Sequence, residues 1–175
     1  LEFRRVLFRS TLGRPAVFLP AVDSTNLWLR RRAQELPNGA LCWTGNQTAG
    51  RGRLGRGWAG TFDAPPDGEA LLAMSLLFRP SGGLATLPLA AGLAVSQALE
   101  SLTGLPARIK WPNDIVCGGR KLCGILCENS VDDAGGAAVL GIGVNLRQSA
   151  ADFERAGLPH AASVAMLAGT APGAE

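Results

Sequence analysis

The segment from Thr44 to Trp58 carries five glycines and three arginines in fifteen residues and ends in a tryptophan. Glycine frees the backbone to approach a ligand closely. The arginine guanidinium offers a rigid fork of donors that suits carboxylates and phosphates. This composition is unfavourable for an ordinary helix or strand. The segment, called the arginine loop below, therefore predicts a loop that folds around an anion.

The glycines of the arginine loop also allow other interpretations. Residues Gly50–Gly55 match the G-x-G-x-x-G pattern of dinucleotide-binding folds. However, Gly57-Trp58 does not readily open a helix, and the acidic residue expected about twenty positions on has a poor counterpart in Glu69. No Gly-Lys-Ser/Thr sequence follows the glycines, which excludes a P-loop. A nucleic-acid-binding segment rich in Arg and Gly and a plain flexible loop stay open.

Two further clusters combine residues that could do chemistry. Lys110–Asp114 reads Lys-Trp-Pro-Asn-Asp and places one of the chain's two lysines at the end of a predicted strand. Gly141–Asn145 is a glycine-spaced strand in which Asn145 is the sole polar side chain. Glycine in a strand often marks the close approach of a ligand. The alternatives are a solvated lysine at a strand end and a bend in the sheet.

Periodicity and turn residues predict the elements that must position these clusters. The N-cap-rich segment Asp23–Asn26 begins a helix that extends to about residue 36. We predict strands at residues 40–44, 71–78, 108–111, 115–117, 121–128 and 137–146, a turn-rich link at 63–68, a hairpin turn at Gly118-Gly119, and helical pieces after residue 150. Early helices and late strands indicate an α+β fold with a mixed, mostly antiparallel sheet and helices packed on it.

A stretch of twenty residues without charge, 80–99, is the one part of the chain that resembles a membrane span. Its larger apolar residues recur at helical spacing, which favours a core-facing amphipathic helix over residues 84–103. The predicted core positions of this helix are Leu84, Leu87, Val95, Leu99 and Leu102.

Length and composition describe one globular domain of 175 residues, 47% apolar and 18% charged. The net charge of +3 is too small to indicate nucleic-acid binding by itself. The four cysteines form no C-x-x-C pair and the chain has a single histidine, so we expect no structural zinc. No feature of the sequence indicates disulfide bonds, so we expect the protein in a reducing cytosol.

Taken together, the clusters resemble one family, the biotin protein ligases, also called biotin–[acetyl-CoA-carboxylase] ligases. The matching motifs occur in the family's order over about residues 20–147: Asp23–Asn26, Gln47–Arg53, Trp58, Lys110–Asp114, Arg120–Leu126 and Gly141–Asn145. The Gly-Arg-Gly-Arg loop combined with Lys-Trp-Pro-Asn-Asp favours this family over the lipoate ligases, which share its fold. A lipoate- or octanoate-transferring relative and a non-enzymatic nucleotide- or RNA-binding module remain the alternatives.

The resemblance implies a fold like that of class II aminoacyl-tRNA synthetases and biotin ligases. It implies a biotin–[biotin carboxyl-carrier protein] ligase, which joins biotin to ATP with Mg²⁺ to give biotinyl-5′-AMP and pyrophosphate. The enzyme then passes biotin to a specific lysine of a biotin carboxyl carrier protein domain. We accordingly expect biotin, ATP and that carrier domain as partners, with no DNA and no membrane, in the cytoplasm. The resemblance also allows a homodimer.

The family pattern implies a role for individual residues. Lys110 bridges the biotin carboxylate and the α-phosphate, and Arg53 with Arg51 closes the loop over the adenylate; Lys110 and Arg53 are the catalytic pair. The implied biotin-binding residues are Ser24, Thr25, Asn26, Gln47, Arg51, Gly52, Arg53, Lys110 and Gly124. Arg53, Trp58, Asn113 and Asn145 are the implied nucleotide-binding residues, and Asp114 is the implied metal ligand. For Ser24 and Thr25, helix capping is the alternative interpretation, and the two roles can coexist.

The chain boundaries carry their own expectations. Residues 1–15 resemble vector sequence or the stub of a missing segment, and residues 16–175 correspond to the catalytic domain. We expect neither an N-terminal helix-turn-helix domain nor a C-terminal SH3-like domain. The resemblance would make this chain a C-terminally truncated catalytic domain.

Overall fold

The computed structural model describes residues 12–58, 69–79, 84–130 and 136–169. Its elements are β1 (Ala16–Phe18), α1 (Thr25–Arg31), β2 (Leu41–Thr44), β3 (Leu71–Phe78), α2 (Leu87–Thr103), β4 (Arg108–Lys110), β5 (Asp114–Cys117), β6 (Arg120–Ser130), β7 (Ala137–Asn145), α3 (Ala150–Arg155) and α4 (Val164–Ala168). Short 3₁₀ turns occupy Arg53–Gly55 and Leu84–Thr86. The predicted link at 63–68 and residues 1–11 lie outside the described residues.

The strands form a single sheet in the order β1-β2-β3-β7-β6-β5-β4. β1 and β2 run parallel, and every other neighbouring pair is antiparallel. The predicted α+β class with a mixed, mostly antiparallel sheet is confirmed. β1 itself was not predicted, because three residues are too few for an alternating pattern to be visible.

Helices cover both faces of this sheet. On one face, α2 packs through Leu99 against a core that includes Ile142 and Val144 of β7. On the other face, Leu29 of α1 packs against Leu77. β7 lies between two antiparallel neighbours and under both layers, so all nine of its residues are buried. Because side chains alternate along a strand, β7 presents Leu140, Ile142 and Val144 to α2, and it presents Val139 and its two glycines to the opposite face.

The predicted helix after Asp23 begins at Thr25 as expected but ends at Arg31, not near residue 36. The backbone N–H groups of Arg32 and Ala33 bond to carbonyls only three residues back, at 3.1 and 3.3 Å. The chain therefore continues as irregular turns up to Pro37, and the regular helix is not extended.

α2 ends at Gly104, whose φ of 70° is the left-handed conformation that the predicted C-cap requires. Of its predicted core residues, Leu99 is buried but Leu102 is 69% exposed, so that assignment was wrong. Small residues, Ala91 and Ser96, are buried instead. Small side chains let the helix lie close to the sheet. None of the helices in the described ranges has the length and apolar character needed to cross a membrane.

Two buried thiols give the core a measurable signature. Burial raises the pKa of Cys42 and of Cys123 from 9.0 to about 12. Thiolate is the nucleophilic form, so we expect both to resist iodoacetamide at pH 8 and to react only when the protein unfolds. The raised pKa also stabilises the fold fully below pH 9, and this contribution is lost as the pH rises toward 12. Mass spectrometry of labelled peptides checks the first point; rapid native labelling of Cys123 would contradict it.

Candidate functional site

A cavity of about 760 Å³ lies between α1, the arginine loop and the sheet. Its volume is within the range typical of small-molecule sites, about 300–1,000 Å³. The structure brings all the sequence-predicted site residues to this one cavity: Ser24, Thr25, Asn26, Gln47, Arg51, Gly52, Arg53, Trp58, Lys110, Asn113, Asp114, Gly124 and Asn145. Residues more than one hundred positions apart thus meet at one place.

Strand register explains why the C-terminal members meet. Lys110 pairs with Asp114, Asp114 with Gly124, Gly124 with Gly143, and Gly143 with Ala73. Directly paired residues of antiparallel strands point to the same face. These five residues therefore form one row across β4, β5, β6, β7 and β3, with the lysine at one end and three small residues at the other.

The small residues of this row make a flat floor, and the indole of Trp58 lies on it. A Cβ added to Gly143 would lie 2.6 Å from Cε2 of Trp58, and one added to Gly124 would lie 2.5 Å from Cζ3. Such separations are below any normal carbon–carbon contact, so this close approach requires glycine at both positions. The sequence predicted the close approach of a ligand along Gly141–Asn145, and in this structure the group closest to Gly143 is the protein's own indole.

Trp58 contacts the glycine floor and the ammonium group of Lys121, but its indole N–H is unpaired in the described part of the chain. Its Nε1–H is buried and has no hydrogen-bond partner among the described residues. A buried donor without a partner costs about 1–3 kcal/mol. Nζ of Lys121 lies 5.3 Å from the ring centroid, a cation–π distance. The indole therefore has contacts on the floor but no polar anchor there.

One wall of the cavity is polar and uncharged. Oε1 of Gln47 accepts hydrogen bonds from the backbone N–H of Thr25 at 2.9 Å and its hydroxyl at 3.1 Å. Oγ of Ser75 lies 2.8 Å from the Thr25 hydroxyl and 2.6 Å from Oδ1 of Asn26. Ser75 was missed in the sequence, where a serine at a buried position of the apolar strand 71–78 was the available signal. Together these side chains form a connected polar network.

Ser24 occupies the N-cap position of α1, but its side chain makes no capping hydrogen bond. Its backbone N–H instead donates to Oδ1 of Asp23 at 2.7 Å. That bond, together with the ion pair to Arg31, lowers the pKa of Asp23. The capping interpretation is therefore wrong for both hydroxyls, since that of Thr25 contacts Gln47 and Ser75.

The other end of the cavity is cationic. Lys110 is exposed at the end of β4 and has no ion pair or hydrogen bond with a described residue. An Nη atom of Arg53 donates to Oδ1 of Asn113 at 3.2 Å. Asn113 in turn donates to the carbonyl of Ile125 at 3.1 Å. This contact fastens the arginine loop to the sheet at the cationic end of the cavity.

Arg51 points to a different partner, Glu128 of β6, at 3.1 Å. Glu128 also contacts Arg30 at 3.3 Å and the side-chain amide of Asn26 at 2.9 Å. Glu128 was not singled out in the sequence, although an acidic residue at the end of an apolar strand was a visible signal. It connects α1, β6 and the arginine loop.

The two remaining predicted residues have intramolecular partners. Asp114 forms an ion pair with Lys121 at 2.7 Å. The buried Asn145 donates to the carbonyl of Ala162 at 3.1 Å and accepts from Gln148 at 3.3 Å. Within the described ranges, no group of three His, Cys, Asp or Glu side chains could hold a metal ion.

Comparison with known proteins identifies relatives of this arrangement. Residues 18–145 match the model of the Biotin/lipoate A/B protein ligase family. The chain is 38% identical to the bifunctional ligase/repressor BirA of Escherichia coli over 83% of this chain and 44% of that protein. It is 42% identical to the biotin–[acetyl-CoA-carboxylase] ligase of Paracoccus denitrificans over 73% of this chain and 53% of that protein.

The solved structures agree with the sequence relatives. Biotin protein ligase from Aquifex aeolicus, in complex with biotin and ATP, superposes with a TM-score of 0.74 at 32% identity, covering 91% of this chain and 63% of that one. The expected fold, a mixed sheet with helices as in the biotin ligases, is therefore confirmed. The chain spans about half the length of the curated relatives it matches.

Proposed function

The chain belongs to the Biotin/lipoate A/B protein ligase family, and on that premise we propose that it is a biotin–[biotin carboxyl-carrier protein] ligase. It activates biotin with ATP as biotinyl-5′-AMP and transfers the biotinyl group to a lysine of a carrier domain. The Aquifex aeolicus and Paracoccus denitrificans relatives bear the names of such ligases. The repressor activity in the Escherichia coli relative's name is outside the proposal.

One observation carries the proposal: the cavity changes chemically from one end to the other. An uncharged polar wall around Thr25 and Gln47 is followed by the glycine floor, and Lys110 stands at the far end of the same row. Lys110 is three strands away from Gly143, which corresponds to about 14 Å. This order suits a ligand with a neutral polar ring, an aliphatic tail and a terminal carboxylate, which describes biotin.

The cationic end suits the first reaction step. A biotin carboxylate oxygen attacks the α-phosphorus of ATP, the bond to the β-phosphate oxygen breaks, and pyrophosphate leaves. Both reactants are anions, so cations must hold them together and stabilise the charge that develops. Lys110 is placed for this role, because no described residue neutralises its ammonium group. Arg53, fastened to Asn113, keeps the loop over the reacting atoms.

The second step needs the adenylate to survive until the acceptor arrives. The deprotonated amine of the carrier lysine attacks the acyl carbon, and AMP leaves. Water would compete for the same carbon, so a closed loop protects the intermediate. The contacts of Arg53 with Asn113 and of Arg51 with Glu128 support a loop that closes in this way.

The polar wall is proposed to bind the ureido ring of biotin through Ser24, Thr25, Asn26 and Gln47. A hydrogen bond contributes only about 0.5–1.5 kcal/mol net. Its larger effect is on selectivity, because a ligand without matching groups leaves buried polar atoms unpaired. The floor at Gly124 is proposed to accept the aliphatic tail. A ligand seated there requires Trp58 to leave the floor, and we propose that its indole then packs against the adenine.

Nucleotide and metal contacts are assigned more coarsely. We propose that Asn113 and Asn145 lie beside the nucleotide and that Asp114 contributes a carboxylate to Mg²⁺. Mg²⁺ is usually bound through one or two carboxylates plus substrate phosphates, and Asp114, the one carboxylate among the described residues that line the cavity, fits that pattern. Bound Mg²⁺ would neutralise phosphate charge. Lys121, which now pairs with Asp114, would have to share that carboxylate.

The family also includes lipoate ligases, so a lipoate- or octanoate-transferring enzyme is the second candidate. Calorimetric titration of the full chain with biotin, with and without ATP, separates the two, together with pyrophosphate release in the presence of each acid. We expect release that depends on both biotin and ATP. Pyrophosphate release that does not depend on biotin but does depend on lipoate would reject the proposal.

The four free cysteines support a cytoplasmic location for the enzyme.

Replacing Arg53 with glycine is expected to leave adenylation largely intact and to release the adenylate prematurely. The variant loses the bond to Asn113, and one charge-assisted hydrogen bond corresponds to roughly tenfold in loop closure. Escaped adenylate acylates exposed lysines without selection, so blotting a mixture of unrelated proteins for biotin should show promiscuous labelling. Asn113→Ala, which removes the acceptor of the same bond, should show the effect more weakly. A variant that makes no adenylate would refute the assigned role.

A further inference from the structure

Glu128 lies beside Asn26 of the polar cavity wall, and its side chain is only 15% exposed. A carboxylate in such a place is destabilising unless it is paired and hydrogen-bonded. Arg30 and Arg51 contact one of its oxygens, and the amide of Asn26 donates to the other at 2.9 Å. Two of these contacts come from α1 and one from the arginine loop, so the carboxylate holds both elements against β6.

The carboxylate also determines the orientation of Asn26. A carboxylate between two guanidinium groups accepts hydrogen bonds and donates none. Asn26 must therefore turn its NH₂ group to Glu128, where it also donates to the carbonyl of Leu126 at 3.4 Å, and this leaves Oδ1 facing Ser75 at 2.6 Å. Since Oδ1 is an acceptor, Ser75 uses its single hydroxyl proton for Asn26.

The direction of the next hydrogen bond follows from the same count of protons. With its proton committed, Ser75 can only accept from the Thr25 hydroxyl, at 2.8 Å. The other neighbour of that hydroxyl is Oε1 of Gln47, at 3.1 Å, which is also an acceptor. The one hydroxyl proton of Thr25 is donated either to Oγ of Ser75 or to Oε1 of Gln47. Toward a ligand, Thr25 therefore offers a lone pair and never a proton.

We propose that Glu128 is a positioning residue that makes this wall of the cavity selective for a ligand N–H donor and holds Arg51 in place. The inference rests on the proposed function, in which the donor is a ureido N–H of biotin. Without the negative charge, position 128 no longer requires a donor, and only the long bond to the Leu126 carbonyl favours the present orientation of the Asn26 amide. The hydroxyls of Ser75 and Thr25 are then free to reverse, and the selectivity for a donor is lost.

Glu128→Gln tests this directly. We expect its dissociation constant for biotin, measured by calorimetry, to rise roughly ten- to hundredfold. We also expect KM for biotin to rise while KM for ATP changes little. The decisive measurement uses a biotin analogue methylated at the ureido nitrogens. The wild-type chain should discriminate strongly against it, and the ratio of the two dissociation constants should fall about tenfold or more in the variant.

Two further variants complete the test. Glu35→Gln makes the same chemical change at an exposed site that does not line the cavity, and it should keep wild-type values. Ser75→Ala interrupts the same chain without touching the carboxylate, so it should lower the discrimination ratio even if Glu128→Gln fails to fold. An unchanged ratio in Ser75→Ala or in folded Glu128→Gln would overturn the inference. Absence of biotin binding in the wild-type chain would instead reject the proposed function.

Discussion

Replacing Lys110 with alanine is expected to lower biotin-dependent pyrophosphate release by about two to three orders of magnitude, the usual effect of removing one charge-stabilising group from a reacting centre. Lys110 ends the row that runs across the sheet from Ala73, and no described residue neutralises it. Its ammonium group is thus available to two anionic substrates. Pyrophosphate release under saturating ATP and biotin measures the loss.

The control for this variant is Arg108→Ala. Arg108 lies two residues earlier on β4, does not line the cavity and pairs loosely with Glu100 at 3.8 Å on the surface. Exposed pairs of this kind contribute little to stability, so the control should release pyrophosphate at the wild-type rate. Biotin affinity should fall far less than the reaction rate in Lys110→Ala. If biotin affinity and reaction rate fell equally in the variant, Lys110 would stabilise bound biotin and not the transition state.

Replacing Gly143 with alanine is expected to weaken biotin binding by roughly five- to 150-fold, the equivalent of about 1–3 kcal/mol of overpacking. The added Cβ would lie 2.6 Å from the Trp58 indole, and it would occupy the same floor on which we place the ligand. Neither the backbone of β7 nor its partners β3 and β6 can move aside easily, because β7 is paired on both edges. Calorimetric titration with biotin measures the effect.

Gly92 offers a matched control for that substitution. It is a buried glycine on α2, across the sheet from the cavity, where an added Cβ would lie 3.5 Å from Ile109, an ordinary contact. Alanine is also the better helix former there. Gly92→Ala should therefore bind biotin as the wild-type chain does, with equal or slightly higher thermal stability. Equal affinities in Gly143→Ala and Gly92→Ala would contradict the assignment of the floor.

Much of the site could be predicted because its residues lie in short motifs. The arginine loop, Lys110–Asp114 and Gly141–Asn145 each combine residue types whose chemistry is visible without a fold. Ser75 and Glu128 belong to no such motif. Ser75 is the one polar residue of an apolar strand, and Glu128 follows the apolar run of β6. Such residues become informative only when their buried neighbours are known. The same limit explains Leu102, whose helical spacing fits the core although no core lies beneath it.

Local elements were determined by the sequence itself. Glycine at Gly104 and the pair Gly118-Gly119 act on backbone angles within a few residues, and each produced the expected helix end or turn. The helix also begins at Thr25 as the pattern predicted, although no described side chain caps it. Their effects are short-ranged, so a short window of sequence contains the whole cause.

Only the tertiary structure decided how the motifs meet. Strand register depends on contacts between residues far apart in sequence, because every strand must place its apolar side chains on the buried face of the sheet. That register places Lys110, Gly124 and Gly143 in one row, sets the Trp58 indole on glycine, and brings Glu128 to Asn26 across 102 positions of sequence. No local pattern encodes those distances, because each depends on which strands pair and on what covers them.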